Sequence, residues 1–222
     1  MKAMILAAGR GERMRPLTDE CPKALLQVGG KALIEYHIEA LARSGIAELV
    51  INTAWLGEQL PASLGDGSRF GVSIQYSDEG ASALETGGGI AKALPQLGDE
   101  PFWLVNGDVW CDYGFNRMNL APDELGHLVL VRNPEHNPAG DFGLVDGRIR
   151  NSGAARYTFS GLSLLRPELV RGKGAGKFPL APLLRNAADD NRLSGELHTG
   201  EWIDVGTPER LRDVDALLAD RA

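Results

Sequence analysis

Apolar residues in this chain fall first into short, dense runs. Lys2–Leu6, 48–52 and Phe102–Asn106 have strand length and are closed by glycine or polar residues, and 72–76 alternates. Between the first two runs, Ile34, Ile38, Leu41 and Ala42 recur at the spacing of one helix face, and Gly45 ends the pattern as a C-terminal cap. His37 borders that stripe and reads as a half-buried core histidine rather than a ligand. Residues 89–97 predict a shorter helix that stops near Pro95. Strand and helix therefore alternate through the first half, which predicts a parallel sheet. Strands apolar on both faces fit a sheet covered by helices on both sides.

The second half changes character. Residues 127–132, Phe142–Val145, Arg148–Arg150 and 157–165 read as strands, with Asp146-Gly147 as a hairpin turn. The glycine-rich stretch 172–176 reads as a mobile loop, and 180–188 as a helix. A last helix is well marked, with Thr207 as N-cap, Pro208 in its first turn, and Leu211, Val214, Leu217 and Leu218 on its apolar face. No repeat or linker divides the chain, so the expectation is one α/β domain with a mixed, mostly parallel, continuous sheet flanked by helices.

Composition narrows this picture. A chain of 222 residues suits one domain. It should expose roughly 9,900 Å² when folded and bury about 70% of its unfolded surface. Lys and Arg number 23 against 30 Asp and Glu, a net charge of −7, which argues against a nucleic-acid backbone as partner. Cys21 and Cys111 make no disulfide framework, which suggests a reducing compartment. No run approaches the ~18 apolar residues of a membrane span, and the apolar N-terminus is too short for a signal peptide. A cytoplasmic protein is expected. The 28 glycines exceed the about 16 of an average chain, without a collagen-like period.

Several of those glycines stand beside chemistry-bearing residues. After the first strand, Gly9 and Gly11 alternate with Arg10, Arg13 and Arg15, and Pro22-Lys23 follows. Glycines admit close backbone approach to a phosphate, and guanidinium groups bind it through paired hydrogen bonds. Two known glycine fingerprints fail here. Met14 stands where a dinucleotide-binding motif needs its third glycine, and Leu25 and Ala32 break a Walker loop ending at Gly30-Lys31. A second cluster, Gly87-Gly88-Gly89, follows Glu79 and suits a flat base or ribose. Asn106-Gly107-Asp108 ends an apolar strand, where open α/β sheets bind ligands. Asp108 there, and Asp204 before the capped helix, suit Mg²⁺, which takes one or two carboxylates plus phosphate oxygens and water. A solvated turn at the arginine loop, an Asx-turn at Asp108 and a plain turn at Asp204 are the bland alternatives.

These residues carry a resemblance. Gly9-x-Gly11-x-Arg13-x-x-Pro16-Leu17-Thr18, Pro22-Lys23 and Val28-x-Gly30-Lys31-x-Leu33-Ile34 strongly resemble the signature of the sugar-1-phosphate nucleotidyltransferases. Asn106-Gly107-Asp108 and Trp202-x-Asp204-x-Gly206-Thr207 are similar to that family's two metal segments. The likeness runs in order over nearly the whole chain. The chain's compact length and motif wording are most similar to bacterial members that use UTP on a cell-wall sugar 1-phosphate. The resemblance implies a Rossmann-like sheet with a small sugar-binding lobe. Residues 1–120 would be mainly nucleotide-binding, 121–200 mainly sugar-binding, and 201–222 the second metal segment and last helix. Ala8, Gly9, Gly11, Glu12, Arg13, Lys23, Glu79 and Gly88 would hold UTP, with Arg13, Lys23 and Asp108 catalytic. Asp108 and Asp204 would hold Mg²⁺, and Asn106, Asp141 and Gly143 would face the sugar.

The chain departs from that family in three places. Ala24 replaces the second proline of Pro-Lys-Pro. A Glu-Lys-Pro segment is missing, its region shortened to 151–156, so one sugar-phosphate lysine has no counterpart. No hexapeptide-repeat domain is expected after the last helix, and a monomer or small homo-oligomer is expected. A carboxylate on the sugar, as in N-acetylmuramate, would need a cation, for which Arg150 and Arg156 are the candidates. Rival readings are a guanylyl-, thymidylyl- or cytidylyltransferase acting on another sugar or choline phosphate, and a non-catalytic nucleotide-sugar sensor.

Overall fold

The computed structural model describes residues 1–81, 83–115, 119–153, 155–174 and 176–219. Ala154 of the shortened segment and Ala175 of the glycine loop therefore lie outside the described residues. The strands of the first half are β1 (Lys2–Leu6), β2 (Gln27–Val28), β3 (Lys31–Ala32), β4 (Glu48–Thr53), β5 (Ser73–Asp78), β6 (Phe102–Asn106) and β7 (Val109–Cys111). Those of the second half are β8 (Gly126–Val131), β9 (Phe142–Val145), β10 (Arg148–Arg150), β11 (Arg156–Leu165), β12 (Leu193–Leu197) and β13 (Trp202–Asp204). The helices are α1 (Leu33–Arg43), α2 (Gln59–Leu64), α3 (Glu85–Leu97), α4 (Ala181–Asp189) and α5 (Pro208–Ala219).

One mixed sheet of nine strands runs through both halves, in the order β5-β4-β1-β6-β11-β8-β12-β10-β9. β5, β4, β1 and β6 are parallel, β11 turns antiparallel to β6, and β12 lies parallel to β8. Strand period decides which face each residue serves. Ala3 and Ile5 of β1, with Trp103 and Val105 of β6, pack on one face against Ile34, Ile38 and Leu41 of α1. Met4 and Leu104 point the other way, onto Ile90, Ala93 and Leu97 of α3. A third cluster joins Val214 of α5 to Val28, Leu33, Trp110 and Val205. The chain exposes 10178 Å², close to the size-based expectation. Among the described residues no helix is long and apolar enough to cross a membrane.

Local signals explain most boundaries. Gly45 takes a positive φ of 75° after α1, and Ile46 N–H donates to the Leu41 carbonyl at 3.0 Å, a Schellman cap. Asp146 and Gly147, with φ of 50° and 74°, make the tight turn between β9 and β10. Arg210 N–H reaches Thr207 Oγ1 at 3.4 Å, as the N-cap reading requires. One expectation is corrected: α3 neither starts at residue 89 nor stops at Pro95, but runs Glu85–Leu97. Pro95 lies in its last turn, where a missing N–H deprives a single carbonyl, and burial of Leu97 against the core outweighs that loss. The elements that periodicity missed are short: the β2–β3 hairpin, β7, β12, β13 and α2.

Candidate active site

Leu6, at the end of β1, pairs with Asn52 on one side and Asn106 on the other. The chain steps from β1 outward to β4 and β5 and then crosses back through α3 to β6 on the other side of β1, so a crevice opens at the carboxyl ends of these strands. A cleft of about 210 Å³ lies there, and Ala8, Gly9, Lys23, Glu79, Asn106 and Asp108 all line it.

Lys23 is buried, and its Nζ donates to Asp108 Oδ2 at 2.6 Å. The Asp108 side chain is 40% exposed, so this ion pair faces the cleft. A β-carbon at Gly9 would meet no atom within 4 Å, so that glycine leaves room on the cleft side. The walls are tied together by a buried chain of hydrogen bonds. Ala7 N–H donates to Asn52 Oδ1 at 2.7 Å, Asn52 Nδ2 to Glu79 Oε1 at 2.7 Å, and Leu84 N–H to Glu79 Oε2 at 2.6 Å. Glu79 thus holds the loop before α3 in place, and Asn52, which the motif reading missed, links that loop to the end of β1. Its signal was an amide at the polar end of an apolar strand.

Other expected residues stand differently. Gly11 lies behind Lys23: its φ is 67°, and a β-carbon would come within 3.2 Å of Lys23 Cβ. Glu12 and Arg13 are exposed on the rim and do not line the cleft. Arg10 stacks over Trp55, 3.4 Å from the ring centroid, and both Arg10 and Arg15 pair with Asp19. Of the three loop arginines, Arg13 alone makes no ion pair among the described residues. Its guanidinium stands beside Gly206, where a β-carbon would be 3.1 Å from Arg13 Nη2. Gly88 corrects the reading of the second glycine cluster. It is buried, its N–H donates to the Phe178 carbonyl at 3.1 Å, and the Gly176 carbonyl fills the space a β-carbon would need. Gly176 and Phe178 thus strap the first turn of α3.

The two metal-candidate carboxylates flank a strand pair, Asp108 in the turn just before β7 and Asp204 at the end of β13. β13 is antiparallel to β7, with Asp204 opposite Val109, and Val205 N–H donates to the Asp108 carbonyl at 2.9 Å. Asp204 Oδ2 accepts from Arg210 Nη1 at 2.8 Å and lies 3.3 Å from His136 Nε2, two partners the motifs did not indicate. The donors suit a hard divalent cation in kind. Among the described residues no group of three or more His, Cys, Asp or Glu is gathered for a metal. An ion here would take most of its ligands from phosphates and water, as Mg²⁺ does. Nearby, His37 is buried in the core as expected. Its Nε2–H donates to the Val109 carbonyl at 2.6 Å, and burial lowers its pKa to about 4.

A second cavity of about 300 Å³ adjoins the first, and Thr86 and Asn106 line both. Asp141, Phe142, Phe159 and Arg185 surround it. A bulge in β11 between Phe159 and Leu162 puts Gly161, with φ of 84°, against the Asn106 amide. Asp141 Oδ2 accepts from Phe159 N–H at 2.8 Å and Asn137 Nδ2 at 3.2 Å. Gly143 does not line this cavity; it is buried in β9, paired with Arg150 and Arg156.

The two cavities meet at Thr86 and Asn106, and the Lys23–Asp108 pair lines the first. The sequence profile of the nucleotidyl transferases matches residues 2–157. The chain belongs to the nucleotidyl transferase family. This nucleotidyl transferase is 54% identical over 98% of its length to the N-acetylmuramate alpha-1-phosphate uridylyltransferase of Neisseria meningitidis serogroup B, of which it covers 98%. It is 34% identical to the enzyme of the same name in Caulobacter vibrioides, over 98% of the chain and 97% of the relative. Its fold matches a solved Bacillus anthracis structure, assigned as a glucose-1-phosphate thymidylyltransferase, with a TM-score of 0.85 at 21% identity, over 99% and 96% of the two chains. The expected nucleotidyltransferase fold with a mixed sheet is what the nucleotidyl transferase chain adopts.

Proposed function

We propose that this nucleotidyl transferase joins UTP and N-acetylmuramate α-1-phosphate to give the UDP-sugar and pyrophosphate, in the recycling of cell-wall sugars. The observation that carries the reading is the junction of the two cavities at Asn106 and Thr86, beside the Lys23–Asp108 pair. A nucleotide in the first cavity and a sugar phosphate in the second would meet there. The uridylyl donor and the muramate acceptor are taken from the two full-length relatives.

The chemistry asks little acid–base work of the protein. A sugar phosphate has a second pKa near roughly 6, so its oxygen is ionised at neutral pH and attacks without a general base. That oxygen forms a bond to the α-phosphorus while the bond to the pyrophosphate oxygen breaks, and pyrophosphate leaves with the electron pair. Catalysis then rests on positioning and on stabilising charge. The backbone at Ala8 and Gly9 receives the triphosphate, Lys23 stabilises charge that develops on it, and Arg13 serves the pyrophosphate end from the rim. Glu79 and Asn52 keep these loops in register. Asp108 and Asp204 would hold Mg²⁺, which when bound would neutralise phosphate charge.

The test is pyrophosphate release over a grid of UTP, GTP, dTTP and CTP against several sugar 1-phosphates, with and without Mg²⁺. The highest kcat/KM is expected for UTP with N-acetylmuramate 1-phosphate and Mg²⁺. A higher value for another pair would replace the substrates, and nucleotide binding with no release of pyrophosphate would make the chain a sensor.

A further inference from the structure

Among the described residues one cationic side chain lines the second cavity, and it is not one of the two arginines expected from the sequence. Arg156 Nη2 donates to the Asp141 carbonyl at 2.7 Å and its Nη1 to the Asn151 carbonyl at 3.5 Å, which binds the shortened segment to β9. Arg150 Nη1 donates to Asn191 Oδ1 at 2.6 Å. Neither lines the cavity, whereas Arg185 of α4 does. Its guanidinium stands 5.1 Å from the Phe142 ring centroid. Among the described residues only its Nη1 makes hydrogen bonds, two long ones of 3.4 Å to the Asp141 carbonyl and Asn151 Oδ1. A guanidinium carries five N–H donors in a planar fork, so most of this one remains open to a ligand.

Position decides which ligand group that is. The sugar's anomeric phosphate has to lie near Lys23 and Asp108, at the junction with the first cavity, for its oxygen to reach the nucleotide. Arg185 lines only the second cavity, so it meets the part of the sugar away from that phosphate. Leu104, Phe142, Phe159 and Leu184 make much of the surrounding wall apolar, while Arg185 itself is exposed, so its fork is free to turn toward a ligand. Among the described residues the one carboxylate of that wall, Asp141, is already bonded to Phe159 N–H and Asn137. A planar fork matches a carboxylate through two parallel bonds and offers a neutral hydroxyl far less.

We propose that Arg185 is a specificity-determining residue that pairs with a carboxylate on the acceptor sugar, the lactyl carboxylate in the case of N-acetylmuramate. This rests on the sugar-phosphate reading of the second cavity and deepens it.

The experiment compares kcat/KM for N-acetylmuramate 1-phosphate, the same sugar 1-phosphate lacking the lactyl ether, and the lactamide analogue, in wild type, Arg185→Gln and Arg185→Lys. The preference for the carboxylate over the unsubstituted sugar is expected to fall about 30- to 100-fold in Arg185→Gln, mainly through KM for the sugar. Arg185→Lys is expected to recover part of it. The lactamide is expected to lose a similar factor on wild type, which needs no variant to fold. An unchanged preference ratio in Arg185→Gln, or equal wild-type rates with carboxylate and amide, overturns the assignment while leaving the proposed reaction in place. A wild-type protein that transfers no uridylyl to the muramate sugar overturns the reaction itself, and the assignment with it.

Discussion

Lys23 and Asp108 hold each other at 2.6 Å, one buried and one facing the cleft, and that asymmetry separates their contributions to turnover and stability. Asp108→Asn keeps the shape and removes the charge. Turnover is expected to fall by at least about 100-fold, because charge stabilisation is the main catalytic term here. Stability should fall by only about 1–2 kcal/mol, since a partly exposed pair is screened by water. Pyrophosphate release and thermal melting on the same preparation check both, and wild-type turnover at saturating Mg²⁺ would exclude Asp108 from the chemistry. His37 behaves in the opposite manner, serving stability alone. Burial lowers its pKa from 6.5 to about 4, against weaker opposing pulls from the Val109 carbonyl and Asp108. Between those values the unfolded chain binds the proton and the folded chain does not. The stability contribution is therefore complete above the upper value and is lost as the pH falls toward the lower one. From pH 7 to 5 the loss is about 2 kcal/mol. Burial also lowers the pKa of His127, so denaturant melts should compare wild type with His37→Gln, whose slope over that range is expected to be shallower by that amount. Lys23 and Asp108 were legible as candidates because each stands in a short local motif, Pro22-Lys23 and Asn106-Gly107-Asp108. Asn52, His136 and Arg185 were not, because each gains its place from a partner far away in the chain, and Arg210 was not, because its bond to Asp204 forms only where β13 turns into α5.

Among the elements, α3 shows most clearly what pattern reading conveys and what it omits. Ile90, Ala93 and Leu97 mark its buried face, so its existence and its packing on β1 were readable. Its three early glycines suggested space for a ligand, and the fold instead gives that space to its own chain. Phe178 exchanges backbone hydrogen bonds with Leu84 and Gly88, and Gly176 presses its carbonyl on Gly88. Such a contact joins segments about ninety positions apart, which no local window reveals. It also sets the sign of a substitution. Gly→Ala inside a helix ordinarily stabilises by about 1 kcal/mol. At Gly88 the added carbon would overlap a backbone carbonyl, and overpacking of that kind costs about 1–3 kcal/mol. Gly88→Ala is therefore expected to lower Tm by several degrees, with a raised KM for UTP as the strap and the Glu79 loop shift. A variant as stable as wild type would mean that the strap packs loosely on α3.

At the scale of the whole molecule, the acidic balance and the continuous sheet bear on how substrate binding is felt. The net charge is −7, yet Lys23, Arg13 and Arg210 are gathered around the strand ends where a triphosphate would lie. Lys23 and Arg210 stand there paired with Asp108 and Asp204, an arrangement of alternating charges rather than the basic stripe that a polyanion needs. The cleft itself opens at β1, β4 and β6, and β6 hydrogen-bonds to β11, which carries the bulge of the second cavity. The regions around the two cavities thus share one set of backbone ladders. Unfolding either region would strip an edge from the other, so a single cooperative melting transition is expected. UTP with Mg²⁺ at about 100 times its Kd should then raise that transition as a unit, by about 2.7 kcal/mol through linkage, or about 5–10 °C for a domain of this size. Chelating the cation should remove part of the shift in wild type and little in Asp108→Asn, where the proposed ligand is already missing. Differential scanning calorimetry distinguishes the outcomes. Two transitions, with only the lower or the upper one moved by UTP, would mean that the second-half strands fold as a unit separate from the nucleotide site.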